Sequence, residues 1–209
     1  MKGVTSIALL SQSLMTGGKS GQIRTWRINY YNPESKPKLL TTVKEHTGAV
    51  VCLKVSNDEM EAVSASADGS CIIWNISNLE DPIRRQILTC TSALLWARIH
   101  PSQCQILTLA TDGQVSYWEA VDGTEIRAIV LGKHSTVTSL DVDPKGDHFI
   151  TSTNDSMVKV WKYKQGSLIA HGKARSGPIT KTMYSPTGKY VVAITQHGAI
   201  LIWYNYSEM

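Results

Sequence analysis

The 209-residue sequence predicts an all-β fold, a β-propeller of about five four-stranded blades, and three observations carry that expectation. Five of the six tryptophans, Trp26, Trp74, Trp118, Trp161 and Trp203, are spaced 48, 44, 43 and 42 residues apart. A period of about 40–45 residues is that of a four-stranded propeller blade. Each of these tryptophans closes a short run that reads as a strand: QIRTW, SCIIW, QVSYW, MVKVW and AILIW. Each run is preceded by a tight turn: Ser20-Gly21, Asp68-Gly69, Asp112-Gly113, Asp155-Ser156 and His197-Gly198. Such pairs supply the positive φ that a two-residue hairpin requires.

Taken in order, each unit opens with an apolar strand: VTSIALL, VVCLKV, LLWARI, VTSLDV or ITKTMY. A polar turn follows most of them, as at 56–59, 100–103, 143–146 and 185–188. The second strand runs to the hairpin and carries Thr16, Ser64, Thr108 or Thr151, with Ala193 in the fifth unit. The tryptophan strand comes next, and after four of the five tryptophans a more polar outer strand such as TEIRAIVL. The units fall near 1–28, 38–76, 83–120, 125–163 and 168–206 of one domain, 1–209. The longer first spacing holds the insertion NYYNPESKPK (29–38). It reads as an exposed loop in which Tyr30, Tyr31, Lys36 and Lys38 are candidate partner contacts. The first unit starts on its innermost strand and the fifth stops just past its tryptophan strand. The expectation is an incomplete propeller with an unpaired edge on its first blade, completed by a longer protein, a second chain or a divergent start.

Hydrophobic content of 42% with 18% charge places the chain among ordinary globular proteins rather than disordered ones. The net charge is +4, with its 21 Lys and Arg scattered, so no basic face calls for nucleic acid. The four cysteines form no CxxC pair and read as free, mostly buried thiols of an intracellular protein. The apolar stretch near the start is short and broken by Ser11 and Gln12, unlike a signal peptide. No run approaches the ~18 apolar residues of a membrane span. The six histidines never adopt metal-ligand spacing, and Gly17-Gly18-Lys19-Ser20-Gly21 lacks the spacing and following helix of a phosphate-binding loop. No metal or cofactor is therefore expected. Trp96, outside the repeat slot, is expected in the core or lining the central channel.

One constellation invites a catalytic reading. The second unit holds His46, Ser64, Asp68 and Trp74, and the fourth holds His134, Thr151, Asp155 and Trp161. Ser, His and Asp together could activate a nucleophile. The alternative is structural: an indole N–H donates to the hydroxyl, the hydroxyl meets the imidazole, and the carboxylate ends the chain. Such a closed network satisfies polar groups that a blade must bury. Recurrence within one chain argues for the structural reading and against an enzyme. The third unit has Thr108, Asp112 and Trp118 but no His near 89–93. Trp26 and Trp203 anchor weaker units, with Ser20 at the Asp position of the first and His197 at that of the fifth.

The stretches ASADGSCIIWNI (65–76), TDGQVSYWEAVDGTEIRAI (111–129) and NDSMVKVWKYKQG (154–166) resemble WD repeats. More narrowly, the series is similar to the C-terminal half of the cilia- and flagella-associated protein 52 family. That likeness lies in KEHTGAVVCLKV (44–55), SYWEAVDGTEIR (116–127), GDHFITSTNDSMVKVWKY (146–163) and HGAILIWYNY (197–206). It runs in register over nearly the whole chain, while the family's N-terminal propeller and about two blades of its second have no counterpart here. The resemblance implies a microtubule inner protein of ciliary doublets, cytoplasmic and cytoskeletal. Its implied partners are tubulin and other axonemal inner proteins, with no nucleic acid and no membrane. The family has no short tubulin-contact motif, so no contact residue carries over. Two other readings suit a WD chain: a soluble adaptor, such as a ubiquitin-ligase substrate receptor or trafficking scaffold, and an actin-filament regulator.

Overall fold

A computed structural model describes residues 3–29, 31–32, 34–131 and 136–205. The described residues form five antiparallel sheets and no helix, and hence none long and apolar enough to cross a membrane. The first sheet holds β1 (Val4–Leu9), β2 (Ser13–Gly18), β3 (Gln22–Arg27) and β4 (Lys38–Lys44). The second holds β5 (Val50–Val55), β6 (Glu61–Ser66), β7 (Ser70–Asn75) and β8 (Ile83–Thr89). The third holds β9 (Leu94–Ile99), β10 (Gln105–Ala110), β11 (Gln114–Glu119) and β12 (Glu125–Val130). The fourth holds β13 (Val137–Val142), β14 (His148–Thr153), β15 (Met157–Lys162) and β16 (Leu168–Lys173). The fifth has three strands, β17 (Ile179–Tyr184), β18 (Tyr190–Thr195) and β19 (Ile200–Tyr204).

Each outer strand pairs with the tryptophan strand before it, as β4 does with β3. A sequence unit that opens on residue 38 therefore straddles two sheets. This offset corrects the expected position of the missing strand: the first sheet has its outer strand, and among the described residues it is the fifth sheet, ending on β19, that has three strands rather than four.

The middle strands β6, β10 and β14 are buried on both faces, so their sheets must be covered on both sides. The core is accordingly a series of layers between neighbouring sheets. Met15 and Ile23 of the first sheet meet Leu53, Ile72 and Trp74 of the second. Val63 and Ile73 meet Ile106 and Trp118 of the third, and the pattern repeats twice more. Trp74, Trp118, Trp161 and Trp203 thus pack toward the preceding sheet. The sheets do not close into a ring. Ile7 and Leu9 remain exposed on the first, and Ile194, Ile200, Ile202 and Tyr204 on the fifth.

The inner strands carry a shared irregularity. Thr5, Val51, Leu95, Thr138 and Thr180 are each skipped in the pairing with the neighbouring strand, a β-bulge at the same register position in all five sheets. The residue after the bulge is Ser6, Cys52, Trp96, Ser139 or Lys181, and the first four reach forward to the next inner strand. Ser6 Oγ donates to the Val50 carbonyl at 2.8 Å and Cys52 Sγ to that of Ala97 at 3.5 Å. Trp96 Nε1 donates to the Thr138 carbonyl at 2.7 Å, and Ser139 Oγ shares a hydrogen bond with Thr182 Oγ1 at 2.8 Å. Trp96 is half-buried between inner strands, with Arg98 and Lys181 over its ring.

The hairpins before the tryptophan strands are also alike, though not as two-residue loops. The amide of Gly21, Gly69, Gly113, Ser156 or Gly198 donates to the carbonyl three residues earlier, closing a three-residue loop. Only that last loop residue has positive φ, between 70° and 85°, as in a turn followed by a left-handed bulge residue. Ser156, at φ 70°, is the one non-glycine in the set. Replacing Ser156 with Gly is expected to raise stability by about 0.5–1 kcal/mol, the left-handed penalty less the added chain entropy. A rise in the urea midpoint without change in slope is the measurement that checks it.

Candidate functional site

In the second sheet, Ser64 on β6 and Trp74 on β7 are diagonal neighbours on one face, two pairs removed from direct opposition. Trp74 Nε1 donates to Ser64 Oγ at 2.8 Å, and His46 Nε2 lies 2.7 Å from the same oxygen. The other imidazole nitrogen, Nδ1, meets Ser70 Oγ at 2.8 Å. Asp68 stands 3.6 Å from that nitrogen, so the Ser70 hydroxyl bridges imidazole and carboxylate. Sequence reasoning missed Ser70. Its signal was a hydroxyl two residues after the Asp, where an Asx-type turn places it beside the carboxylate.

Asp68 is the knot of the loop. It accepts from the amides of Thr47 at 2.7 Å, Gly48 at 3.1 Å and Ser70 at 2.9 Å, and from the Ser70 hydroxyl. Burial pushes its carboxyl up, but these bonds outweigh burial and hold it well below the usual carboxylate range. His46 is 2% exposed, and burial pulls its pKa below the ordinary imidazole value against the attraction of Asp68.

The contacts of Ser64 and His46 have the outline of a nucleophile and its base, yet both side chains are sealed within the fold. Ser64 Oγ also accepts from the indole, and neither residue lines the apolar or the polar cavity described below. A substrate carbonyl has no approach to that oxygen, and the arrangement can do no more than fasten the outer strand connection to the hairpin.

The other sheets vary the theme. Trp118 Nε1 donates to Thr108 Oγ1 at 2.8 Å, Trp161 to Thr151 at 2.9 Å and Trp26 to Thr16 at 2.9 Å. In the third sheet Cys90 fills the place of the histidine, its sulfur 3.7 Å from Thr108 Oγ1. Asp112 accepts from Ser92 Oγ at 2.8 Å and from the Gln114 amide at 3.0 Å. Asp155 accepts from the Thr153 hydroxyl. His134 lies outside the described residues. Ser20 contacts Gln22, and Ala193, buried beneath Trp203, offers that indole no hydroxyl.

The candidate partner loop joins β3 to β4. Tyr31 is 99% exposed, and Lys36 and Lys38 are exposed beside it, whereas Tyr30 lies outside the described residues. Asn29 and Asn32 shape this loop by accepting from the amides of Tyr31 and Glu34. Two cavities were not read from the sequence. An apolar one of about 440 Å³ lies between the outer strands of the fourth sheet and Trp203, beside β19, the edge strand of the fifth. A polar one of about 380 Å³ lies where the turns after four inner strands converge, with Lys54, Arg98, Asp141, Asp143 and Tyr184 in its wall. Among the described residues no group of three or more His, Cys, Asp or Glu side chains could hold a metal.

The WD domain, G-beta repeat family matches residues 37–75 and 126–162. Cilia- and flagella-associated protein 52 of Homo sapiens is 37% identical over 203 residues, 96% of this chain and 32% of that protein. The Chlamydomonas reinhardtii protein of the same name is 35% identical over 180 residues, 86% of this chain and 28% of its own length. Protein ROOT INITIATION DEFECTIVE 3 of Arabidopsis thaliana is 26% identical over 91% of this chain and 45% of its own. The chain thus spans about a third of the length of the ciliary relatives it matches.

Two predictions follow from the second-sheet network. Ser64→Ala leaves a buried indole N–H and an imidazole nitrogen unpaired, and is expected to cost about 2–4 kcal/mol in urea unfolding. On acidification the unfolded chain protonates His46 near pH 6.5 while the folded chain resists, so stability falls from that pH downward. Below about pH 4 the unfolded Asp68 takes up a proton that the folded carboxylate refuses, and stability falls further. His46→Gln is expected to lessen the first loss and keep the second, as read from urea midpoints between pH 7 and 3.

Proposed function

The chain is a WD-repeat propeller protein, and from that premise we propose that it is a non-catalytic scaffold of the ciliary or flagellar axoneme. It acts there as a microtubule inner protein, bound to tubulin and to neighbouring inner proteins of the doublets. The observation that carries this reading is the in-register likeness to cilia- and flagella-associated protein 52 along 96% of the chain. Identity to the Arabidopsis protein is lower, 26%, and fold alone does not assign a role. The physical character of the molecule agrees. Sheets locked by layers of core present loops on two opposite faces, which suits simultaneous contact with several partners.

Surface complementarity is the mechanism in this reading. Tyr31, Lys36 and Lys38, exposed between β3 and the start of β4, and the exposed apolar faces of the first and fifth sheets are the surfaces available to partners. A second chain that completes the propeller would cover those faces and pair the edge of β19.

Fractionation of flagella tests the proposal: detergent, then high salt, then sarkosyl, with mass spectrometry of each fraction. Retention with the sarkosyl-resistant doublets is the expected result. Release into the detergent supernatant would sink the axonemal assignment and leave a soluble WD adaptor in its place.

A further inference from the structure

The bulges described above put Lys54, Arg98, Asp141 and Met183 at one level in four successive inner strands. At this level Arg98 and Asp141 each find a partner in the next sheet. Arg98 Nε donates to Asp141 Oδ1 at 2.7 Å, and Asp141 Oδ2 accepts the Tyr184 amide at 2.9 Å. Both carboxylate oxygens are therefore engaged. Lys54 stands one sheet behind Arg98 and meets a charge of its own sign. Among the described residues it forms no ion pair, and Arg98 first, then burial, pulls its ammonium below the ordinary lysine pKa.

Lys54 and Arg98 both line the polar cavity of about 380 Å³. Two more groups in that wall lack partners. The Tyr184 hydroxyl and Asp143 Oδ1 are buried without a hydrogen bond, although their residues are only 7% and 5% exposed. Asp143 Oδ2 is 3.3 Å from His148 Nδ1, so only one of its oxygens is left open. Burial, with Asp143 and Asp141 nearby, raises the Tyr184 pKa and keeps its proton available to donate. The cavity wall thus offers a cation without an ion pair among the described residues, a donor and an acceptor.

We propose that this cavity binds an acidic peptide segment of a partner protein, a Glu or Asp carboxylate of which pairs with Lys54 beside Arg98. A peptide fits better than a simple anion for two reasons. The volume is many times the ~30 Å³ share of one water molecule. Asp143 Oδ1 also requires a donor, and each backbone amide of a peptide carries one. The cavity opens among the turns at 56–57, 100–101, 143–144 and 185–186, so a segment can enter from that face. The proposal rests on the scaffold reading only in taking the ligand to be part of another protein, and it holds wherever in the cell the protein resides.

The test titrates the purified full chain with a capped tetraglutamate peptide, by calorimetry at low salt, with inorganic phosphate as the comparison. Saturable binding of the peptide is expected, weakened about tenfold by Lys54→Met and retained by Lys54→Arg. Lys54→Met is also expected to raise the urea midpoint, because it removes a repulsion that the fold alone does not need. Absence of peptide binding, binding unaffected by Lys54→Met, or binding of phosphate without the peptide would each overturn the proposal. So would a lowered midpoint of Lys54→Met. None of these outcomes bears on retention in flagellar doublets, so the two readings fail separately.

Discussion

The middle strands of the three central sheets are buried on both faces, and that single constraint shapes the rest of the molecule. A sheet with one wet face can stand at a surface, but the middle strands here, such as β6 and β10, are buried almost throughout. Each sheet is stable only when flanked, and repeated stacking distributes the core into layers rather than one centre. The same constraint gives the two end sheets their character. Their outward faces keep the composition of an interior while lying exposed, with Ile200 at 66% and Leu9 at 68%. Surfaces of that kind mark contact sites in soluble proteins.

Within each sheet the tryptophan resolves a second problem. Its indole supplies area for the layer, and its N–H must be satisfied inside that layer. A hydroxyl on the adjacent strand meets the need in four sheets, at 2.8–2.9 Å. What lies beyond the hydroxyl is negotiable. The second sheet continues to His46, Ser70 and Asp68, while the third puts the thiol of Cys90 where the imidazole would be. The full network binds a loop amide by amide through Asp68, whereas the thiol version leaves Asp112 to serve its own hairpin and Ser92.

The inner strands show that one backbone device can hold unlike side chains. A bulge at the same register in all five strands aims the following residue at the next sheet, and serine, cysteine and tryptophan all use that position to make a forward hydrogen bond. Near the axis side-chain chemistry is therefore free to vary while the spacing of the sheets is kept. Charge accumulates there in consequence. Arg98 finds Asp141 one sheet ahead, but Lys54 finds Arg98. A polar wall that the fold does not balance by itself is the setting in which binding sites arise.

The period of the tryptophans, the hairpin residues and the alternating strands were enough, by themselves, to determine an all-β repeat of blades and the positions of the indole–hydroxyl pairs at Trp26, Trp74, Trp118 and Trp161. Those features are local, because a Trp and a hydroxyl ten residues apart across one hairpin meet through the geometry of that hairpin. Tertiary structure alone decided what lies between sheets. The cysteine in place of histidine, the bridging Ser70, the three-stranded fifth sheet and the like-charged neighbours Lys54 and Arg98 all depend on residues brought together across separate strands or separate sheets. Spacing along a chain records which hydrogen bonds a hairpin will close. It does not record which side chain the neighbouring sheet will present, because the bulges that set that register leave no mark in residue type.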